Sequence, residues 1–160
     1  MSDVRTLPKP LPPELEILAA DLGTWDAEVR VRPAPGVEAL PSKGVLINRF
    51  GCGGRWLISD FRNDSGFEGH GIHGYDAAKR CYVGTWVDTE RTFLGVAEGT
   101  WDAAARTMTY HWEATVGGGT MRWREVTEKG NPGVLVFRQF MPLPGGGEHE
   151  MITITYRRRT

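Results

Sequence analysis

The sequence has few cysteines, no excess of positive charge and no long hydrophobic run. Cys52 and Cys81 fit no metal-ligand spacing, and in a reducing compartment each is expected to remain a free thiol. The 19 Lys and Arg residues nearly balance the 20 Asp and Glu residues, which argues against nucleic acid as a partner because phosphate binding needs a positive field. Nowhere do about 18 apolar residues follow one another, and the N-terminal residues contain no apolar stretch suited to export. We therefore expect a soluble, cytoplasmic protein with no membrane partner.

The 160 residues predict one domain preceded by a short arm. Four prolines between residues 7 and 13 forbid a helix and predict an extended arm over residues 1–13. Leu15, Leu18 and Leu22 then recur at helical spacing, which predicts one short amphipathic helix. Residues 14–160, this helix included, are predicted to form a single domain that needs no disulfide or metal. The basic run at 157–159 predicts a solvated tail.

After the helix the apolar residues change to a period of two. Trp25, Ala27 and Val29 alternate with charged residues, as in a half-buried strand. Ten consecutive strands joined by short turns, with no helix between them, tend to close because closure removes exposed edges. The predicted fold class is therefore all-β, a single up-and-down antiparallel barrel of about ten strands. The strands after the first are expected at 43–50, 54–62, 67–76, 80–88, 92–102, 106–116, 120–128, 133–141 and 148–158.

Two of the turns share one sequence pattern. The segments 75–80 and 101–106 each begin with an aromatic residue followed by Asp-Ala-Ala, and each ends in Arg. The carboxylates of Asp76 and Asp102 are predicted to accept hydrogen bonds from the turn backbone.

The alternation within strands predicts which side chains face the barrel interior. Met108, Tyr110, Trp112 and Ala114 share one face of their strand, and a slip of one residue would exchange the two faces. The same test places all six tryptophans inside, and glycines interleave with them, which favours a ligand cavity over a solid core of packed rings. The predicted ligand-binding residues are Trp25, Trp56, Tyr75, Tyr82, Trp86, Trp101, Tyr110, Trp112, Trp123, Arg138 and Tyr156.

A few polar side chains fall on the same inward face. They either lie at the ends of the barrel in water or have interior partners, because burying them alone is costly. His73 is predicted inside, although a bulge at the surrounding glycines would place His70 there instead. Arg122 and Arg124 are expected to face water; on a flipped strand they would form an anion pocket with Arg138. The acid/base candidates are His73, His70, Asp88, Asp60 and Glu125.

Two functions of different class fit these residues. The first is a protein that binds a small hydrophobic molecule, aromatic or polyketide-like, in the barrel interior. The second is a cofactor-independent isomerase, cyclase or hydro-lyase, in which an interior His and a carboxylate act as acid and base. Neither needs a cofactor or a metal, and a homodimer is possible.

Several motifs together resemble a bacterial family of uncharacterised lipocalin-like barrel proteins. They are Leu-Gly-Thr-Trp at 22–25, Gly-Gly-Arg-Trp at 53–56, Glu-Gly-His-Gly-Ile-His-Gly-Tyr-Asp at 68–76, Tyr-Val-Gly-Thr-Trp-Val-Asp at 82–88, Glu-Gly-Thr-Trp-Asp at 98–102 and Ile-Thr-Ile-Thr-Tyr-Arg-Arg at 152–158. The resemblance implies a calycin-type barrel with an internal pocket and supplies no substrate.

The chain is also similar, more distantly, to nitrobindin-type haem barrels. Those proteins begin with Gly-Thr-Trp and carry an iron-binding His near the final strand, and His149 lies in the corresponding region. Their glycine-rich continuation after Gly-Thr-Trp is replaced by Asp-Ala-Glu-Val-Arg at 26–30. This likeness implies a third hypothesis, haem binding through His149.

Overall fold

A computed structural model describes residues 10–160 as one short helix followed by a closed barrel of ten antiparallel strands. Each strand pairs with its neighbours in sequence, and the first strand pairs with the last. The predicted all-β, up-and-down barrel is confirmed. Most of the proposed arm, residues 1–9, lies outside the described part of the chain. The elements are α1 (Leu15–Ala19), β1 (Gly23–Val31), β2 (Leu40–Gly51), β3 (Trp56–Asn63), β4 (Glu68–Asp76), β5 (Cys81–Asp88), β6 (Gly95–Asp102), β7 (Thr107–Val116), β8 (Gly119–Asn131), β9 (Val134–Pro142) and β10 (Glu148–Arg158).

The two similar turns have the same structure. Each Asp carboxylate accepts hydrogen bonds, at 2.9–3.0 Å, from the backbone N–H groups two and three residues later. Arg80 and Arg106 both take φ of 53°, the left-handed conformation that lets the chain return into the next strand. The predicted role of Asp76 and Asp102 is therefore confirmed, and these turns fix the β4–β5 and β6–β7 pairings.

The last strand closes the barrel and has the predicted bounds. Strand β10 continues to Arg158, whose guanidinium donates to the carbonyl oxygens of Leu22 and, at 2.7 Å, of Ala20. The same guanidinium lies 4.1 Å from the ring centre of Trp25. The three arginines at 157–159 are exposed as predicted, but Arg158 is not part of a free tail, because it ties β10 to the segment between α1 and β1.

The two ends of the barrel differ. Helix α1 covers one end, where Leu15 and Leu18 are buried and the hydroxyl of Tyr82 donates to the carbonyl oxygen of Glu14 at 3.0 Å. The opposite end is surrounded by the loops 32–39, 64–67, 89–94, 117–118 and 143–147. No helix in residues 10–160 has the length and apolar content that crossing a membrane requires.

Strand alternation agrees with the prediction in most strands and is reversed in β3. Trp25, Ala27 and Val29 of β1 are buried as expected. In β3, however, Leu57 is 3 % exposed whereas Trp56 is 36 % exposed. The inward positions of Trp56 and Asp60 were therefore wrong: both strand faces carry large apolar residues, so the alternation alone does not choose between them.

The outward position of Trp56 has a visible packing reason. Its ring lies against the outer side of Gly74, where an added Cβ would come within 2.6 Å of the indole. The pairing of Leu57 with His73 and of Phe61 with Leu46 then keeps the alternate β3 residues inside.

Candidate functional site

The barrel contains a cavity of about 570 Å³ between α1 and the open end. A volume of this size lies within the usual range of small-molecule sites. The wall is mainly apolar, and it contains many aromatic residues from strands around the barrel. The aromatic residues that line the cavity are Phe61, Phe67, Trp86, Tyr110, Trp112, Trp123, Phe137 and Tyr156.

The six tryptophans have three different positions. Trp86, Trp112 and Trp123 line the cavity, and the last two stack with ring centres 5.8 Å apart and planes 5° from parallel. Trp25 and Trp101 pack inside the covered end and do not line the cavity. Trp56 lies outside, as described above.

The predicted tyrosines divide in the same way. Tyr110 and Tyr156 line the cavity, and burial raises the pKa of both hydroxyls, so both remain neutral. Tyr75 and Tyr82 instead pack on each other at the covered end, with ring centres 5.2 Å apart. Burial, with the charge of Glu14, raises the pKa of Tyr82 to about 12.

Glycines allow large rings to lie flat against the wall. A Cβ on Gly69 or Gly71 would lie 2.2 or 2.8 Å from the Trp86 ring, and a Cβ on Gly84 would lie 2.6 Å from the imidazole of His73. These separations are far below ordinary contact, so only glycine fits beneath the rings. The glycines thus accommodate the rings and leave the middle of the barrel hollow.

Glu125 is the central acidic group of the cavity. It lies on the inner face of β8, and its carboxylate accepts a hydrogen bond from the indole N–H of Trp123 at 3.2 Å. Burial raises the pKa of Glu125 to about 7, an effect partly opposed by the hydrogen bond from Trp123 and by the positive charge of Arg91. Within residues 10–160 no Lys, Arg or His side chain forms an ion pair with it.

His73 also faces the cavity, from β4. Its ring centre lies 5.4 Å from that of Tyr110 and 6.1 Å from that of Trp112. Burial, with the positive charge of Lys129, lowers the pKa of His73 to about 4, so the imidazole is neutral near pH 7. In the described chain no carboxylate hydrogen-bonds this ring. The predicted interior pair of His and carboxylate is therefore not formed.

His70 forms such contacts on the outer surface instead. Its Nδ1 lies 2.7 Å from the Asp60 carboxylate and its Nε2 lies 2.9 Å from that of Glu68. These hydrogen bonds raise the pKa of His70, and the Asp60 carboxylate also contacts Arg49 at 2.5 Å. The choice between the two histidines is thereby settled: His73 is inside, and His70 and Asp60 belong to an exposed polar cluster outside the cavity.

The remaining acid/base candidate, Asp88, lies at the open end. Its carboxylate accepts hydrogen bonds from the Trp86 indole N–H at 3.2 Å and from the Glu90 backbone N–H at 3.0 Å. It therefore borders the mouth of the cavity and orients one wall tryptophan.

The arginines on β8 and β9 face outward. Arg138 forms ion pairs with Glu128 and, at 4.0 Å, with Glu150, so its predicted role in ligand binding is wrong. Arg122 and Arg124 pair with Glu113 and Glu148, as the favoured prediction required. The alternation of β8 places tryptophan and Glu125 inside and leaves no arginine cluster for an anion pocket.

His149 does not reach the cavity. Its Nε2 lies 2.7 Å from the carbonyl oxygen of Arg32, and since a carbonyl only accepts, this nitrogen carries the proton. The residue lies at the edge of the open end and is not among those that line the interior. The position of His149 therefore gives no support to haem binding in the cavity, and that hypothesis stays a prediction.

A buried ion pair at the covered end of the cavity was not predicted from the sequence. The ammonium of Lys129 lies 2.6 Å from the Asp21 carboxylate and donates to the Ile17 carbonyl oxygen at 3.2 Å. Burial raises the pKa of Asp21, and Lys129 opposes that shift. The predicted strand stopped at 128, whereas continuing the alternation from Trp123 and Glu125 would have placed Lys129 inside. Further cavity residues that the sequence did not indicate are Asn48, Ser59, Thr127 and Gln139.

A closed ten-stranded antiparallel barrel with a cavity large enough for a small molecule is the class that fold and site define. The chain belongs to the family described as "Protein of unknown function (DUF1579)", whose model matches residues 12–158. Its fold is similar to that in the crystal structure of Rv2717c from M. tuberculosis, with a TM-score of 0.71, 12 % sequence identity and coverage of 94 % of this chain and 100 % of the other. No curated protein matches the sequence.

Proposed function

We propose that this protein binds a small, largely apolar and aromatic molecule in the barrel cavity, in the manner of a lipocalin-like carrier. The observation that carries the proposal is the aromatic wall around an interior space of about 570 Å³. An empty apolar space costs stability, because the atoms around it lose packing partners. A ligand that fills the space restores those contacts.

The cavity also contains polar groups that a ligand could satisfy. The Tyr110 hydroxyl and the Trp112 indole nitrogen are buried and have no hydrogen-bond partner in the described structure. An unpaired buried polar group costs about 1–3 kcal/mol. The ligand is therefore proposed to have an apolar body and at least one polar atom near these two residues.

The alternative of a cofactor-independent enzyme has weaker support. It requires an interior His oriented by a carboxylate, whereas the His–carboxylate contacts of residues 10–160 lie on the outer surface. His73 and Glu125 share the cavity as separate groups. Binding without turnover is the function that this arrangement favours.

A titration with small aromatic molecules tests the proposal. Three of the cavity's aromatic residues are tryptophans, so a bound ring such as 1-naphthol should change the intrinsic emission. Ligand at about 100 times its Kd should stabilise the fold by roughly 2.7 kcal/mol, visible as a higher Tm. A panel of naphthyl, indolyl and fused-ring compounds that changes neither emission nor Tm would contradict the proposal.

A further inference from the structure

The cavity lining has more acidic than basic residues, and Glu125 forms no ion pair with any of the described residues. Four carboxylate residues and two cationic residues line the cavity. Lys129 is already engaged by Asp21 at the covered end, and Arg91 belongs to the loop between β5 and β6 at the mouth. Glu125 lies between these two positions, in the part of the wall formed by Trp112 and Trp123, and receives only an indole hydrogen bond.

The surroundings of Glu125 suit a positive group. Indole faces attract cations through their quadrupole, and the interaction strengthens where water is excluded. Among the described residues, the charge of Glu125 acts on Tyr110 and Tyr156, which are neutral, and the cation whose charge acts on Glu125 is Arg91 at the mouth, which forms no ion pair with it. A buried carboxylate beside stacked indoles, with no ion-pair partner among residues 10–160, is therefore a site that a ligand cation could complete.

We propose that the ligand is an organic cation, an amine attached to an aromatic or other apolar body, whose ammonium group pairs with Glu125 beside Trp112 and Trp123. This inference rests on the proposed function of the cavity. A ligand carboxylate placed beside Glu125 would meet a like charge and, in the described part of the chain, no cation closer than Arg91 at the mouth, so it should bind more weakly. A neutral ligand would fill the space without satisfying the carboxylate.

Pairing with an ammonium group should also change the protonation of Glu125. Glu125 has a pKa of about 7 in the empty cavity, so near pH 7 about half of the molecules carry a proton there. An ammonium group favours the ionised carboxylate. Binding of an amine at pH 7 should therefore release about half a proton per site.

The test compares three probes that share one ring system: 1-naphthylmethylamine, 1-naphthalenemethanol and 1-naphthoic acid. Isothermal titration at pH 7 should give the amine a Kd about tenfold or more below that of the alcohol, since a bond between charged groups at a buried site is worth at least that ratio. Glu125→Gln keeps the shape and should raise the Kd of the amine about tenfold while leaving the alcohol within roughly twofold. The matched control is Glu113→Gln, an exposed glutamate on the outer face of β7, which should leave all three affinities unchanged.

Titration of the wild-type protein in phosphate and in Tris gives a check that needs no variant. The two buffers differ in ionisation enthalpy, so the difference in heat measures the protons released. About half a proton with the amine and none with the alcohol supports the inference.

Equal affinity for amine and alcohol, tightest binding of the acid, or an unchanged amine affinity in Glu125→Gln would overturn the inference while the cavity function stands. Failure of all three probes to bind counts against both.

Discussion

The Lys129 ammonium and the Asp21 carboxylate lie 2.6 Å apart at the covered end of the barrel. Their side chains are only 5 % and 15 % exposed, and 108 residues separate them in sequence. The pair joins β8 to the segment between α1 and β1. It therefore holds α1 over the end of the cavity.

Removing one member of this pair should be strongly destabilising. Lys129→Met leaves a buried carboxylate without its cation, which typically costs 3–5 kcal/mol. Urea unfolding measures the change. Adding Asp21→Leu to that variant should restore most of the loss, because no unpaired charge remains. As a control, Lys79→Met, which removes an exposed pair with Glu98, should have little effect. An equal loss in both single variants would mean that burial of the pair is unimportant.

Two buried tyrosines should respond differently to loss of the hydroxyl. Tyr82→Phe removes the hydrogen bond to the Glu14 carbonyl oxygen and should cost about 1 kcal/mol. Tyr110→Phe removes a hydroxyl that has no partner in the described structure and should be neutral or stabilising. Chemical denaturation of the two variants in parallel provides the measurement. A larger loss for Tyr110→Phe would show that its hydroxyl has a partner, such as an ordered water.

Glu125 should make the empty protein less stable as the pH rises. Its pKa is raised from 4.5 to about 7 on folding, so between these values the folded state holds a proton that the unfolded state has lost. Stability from this group is present below pH 4.5 and is lost as the pH rises to about 7, by up to roughly 3 kcal/mol. As the pH rises from 5 to 8, the free energy of unfolding of Glu125→Gln, measured with urea, should therefore increase relative to that of the wild type. A constant difference across this range would contradict the prediction.

His73 should make the protein more stable as the pH rises, the opposite of the effect of Glu125. Its pKa falls from 6.5 to about 4 on folding, so the unfolded state binds a proton that the folded state excludes. Stability from this group is complete above pH 6.5 and is lost as the pH falls toward 4. His73→Asn should therefore lose less stability than the wild type between pH 7 and pH 4.5. The pH ranges over which His73 and Glu125 change the stability overlap, so their opposite effects largely cancel in the wild type. Removing one group should reveal the pH dependence that the other group causes.

A bulky side chain placed in the cavity should block ligand binding. Leu46 lines the cavity at 9 % exposure, whereas its neighbour Ile47 is 42 % exposed on the outer face. Leu46→Trp should fill part of the space and weaken the binding of 1-naphthol about tenfold or more, while Ile47→Trp should leave it unchanged. Isothermal titration avoids interference from the added indole. Equal affinities in the two variants would place the ligand outside the barrel.

Where one face of a strand is clearly apolar, its orientation can be predicted from the sequence. On β7 the residues Met108, Tyr110, Trp112 and Ala114 alternate with polar neighbours, and all four are buried. The same pattern in β1 identified Trp25. These strands have only one register that buries their apolar face.

The pattern is insufficient where both faces are apolar or where a charge lies inside. Trp56 and Leu57 of β3 are both large and apolar, and the packing of Trp56 on Gly74 selects the outward position. Lys129 falls on the inward face of β8, but a lysine there is unexpected until Asp21 is known to lie beside it. Its partner comes from a segment 108 residues earlier.

Sequence alone determined the barrel, the order of its strands and the inward position of most aromatic rings, because side-chain alternation and turn residues are local properties of the chain. Only the tertiary structure decided which rings border the cavity, which histidine faces it and that Glu125 lies there without an ion-pair partner among residues 10–160. Those features depend on distances between strands that are far apart in sequence, and no local pattern records such distances.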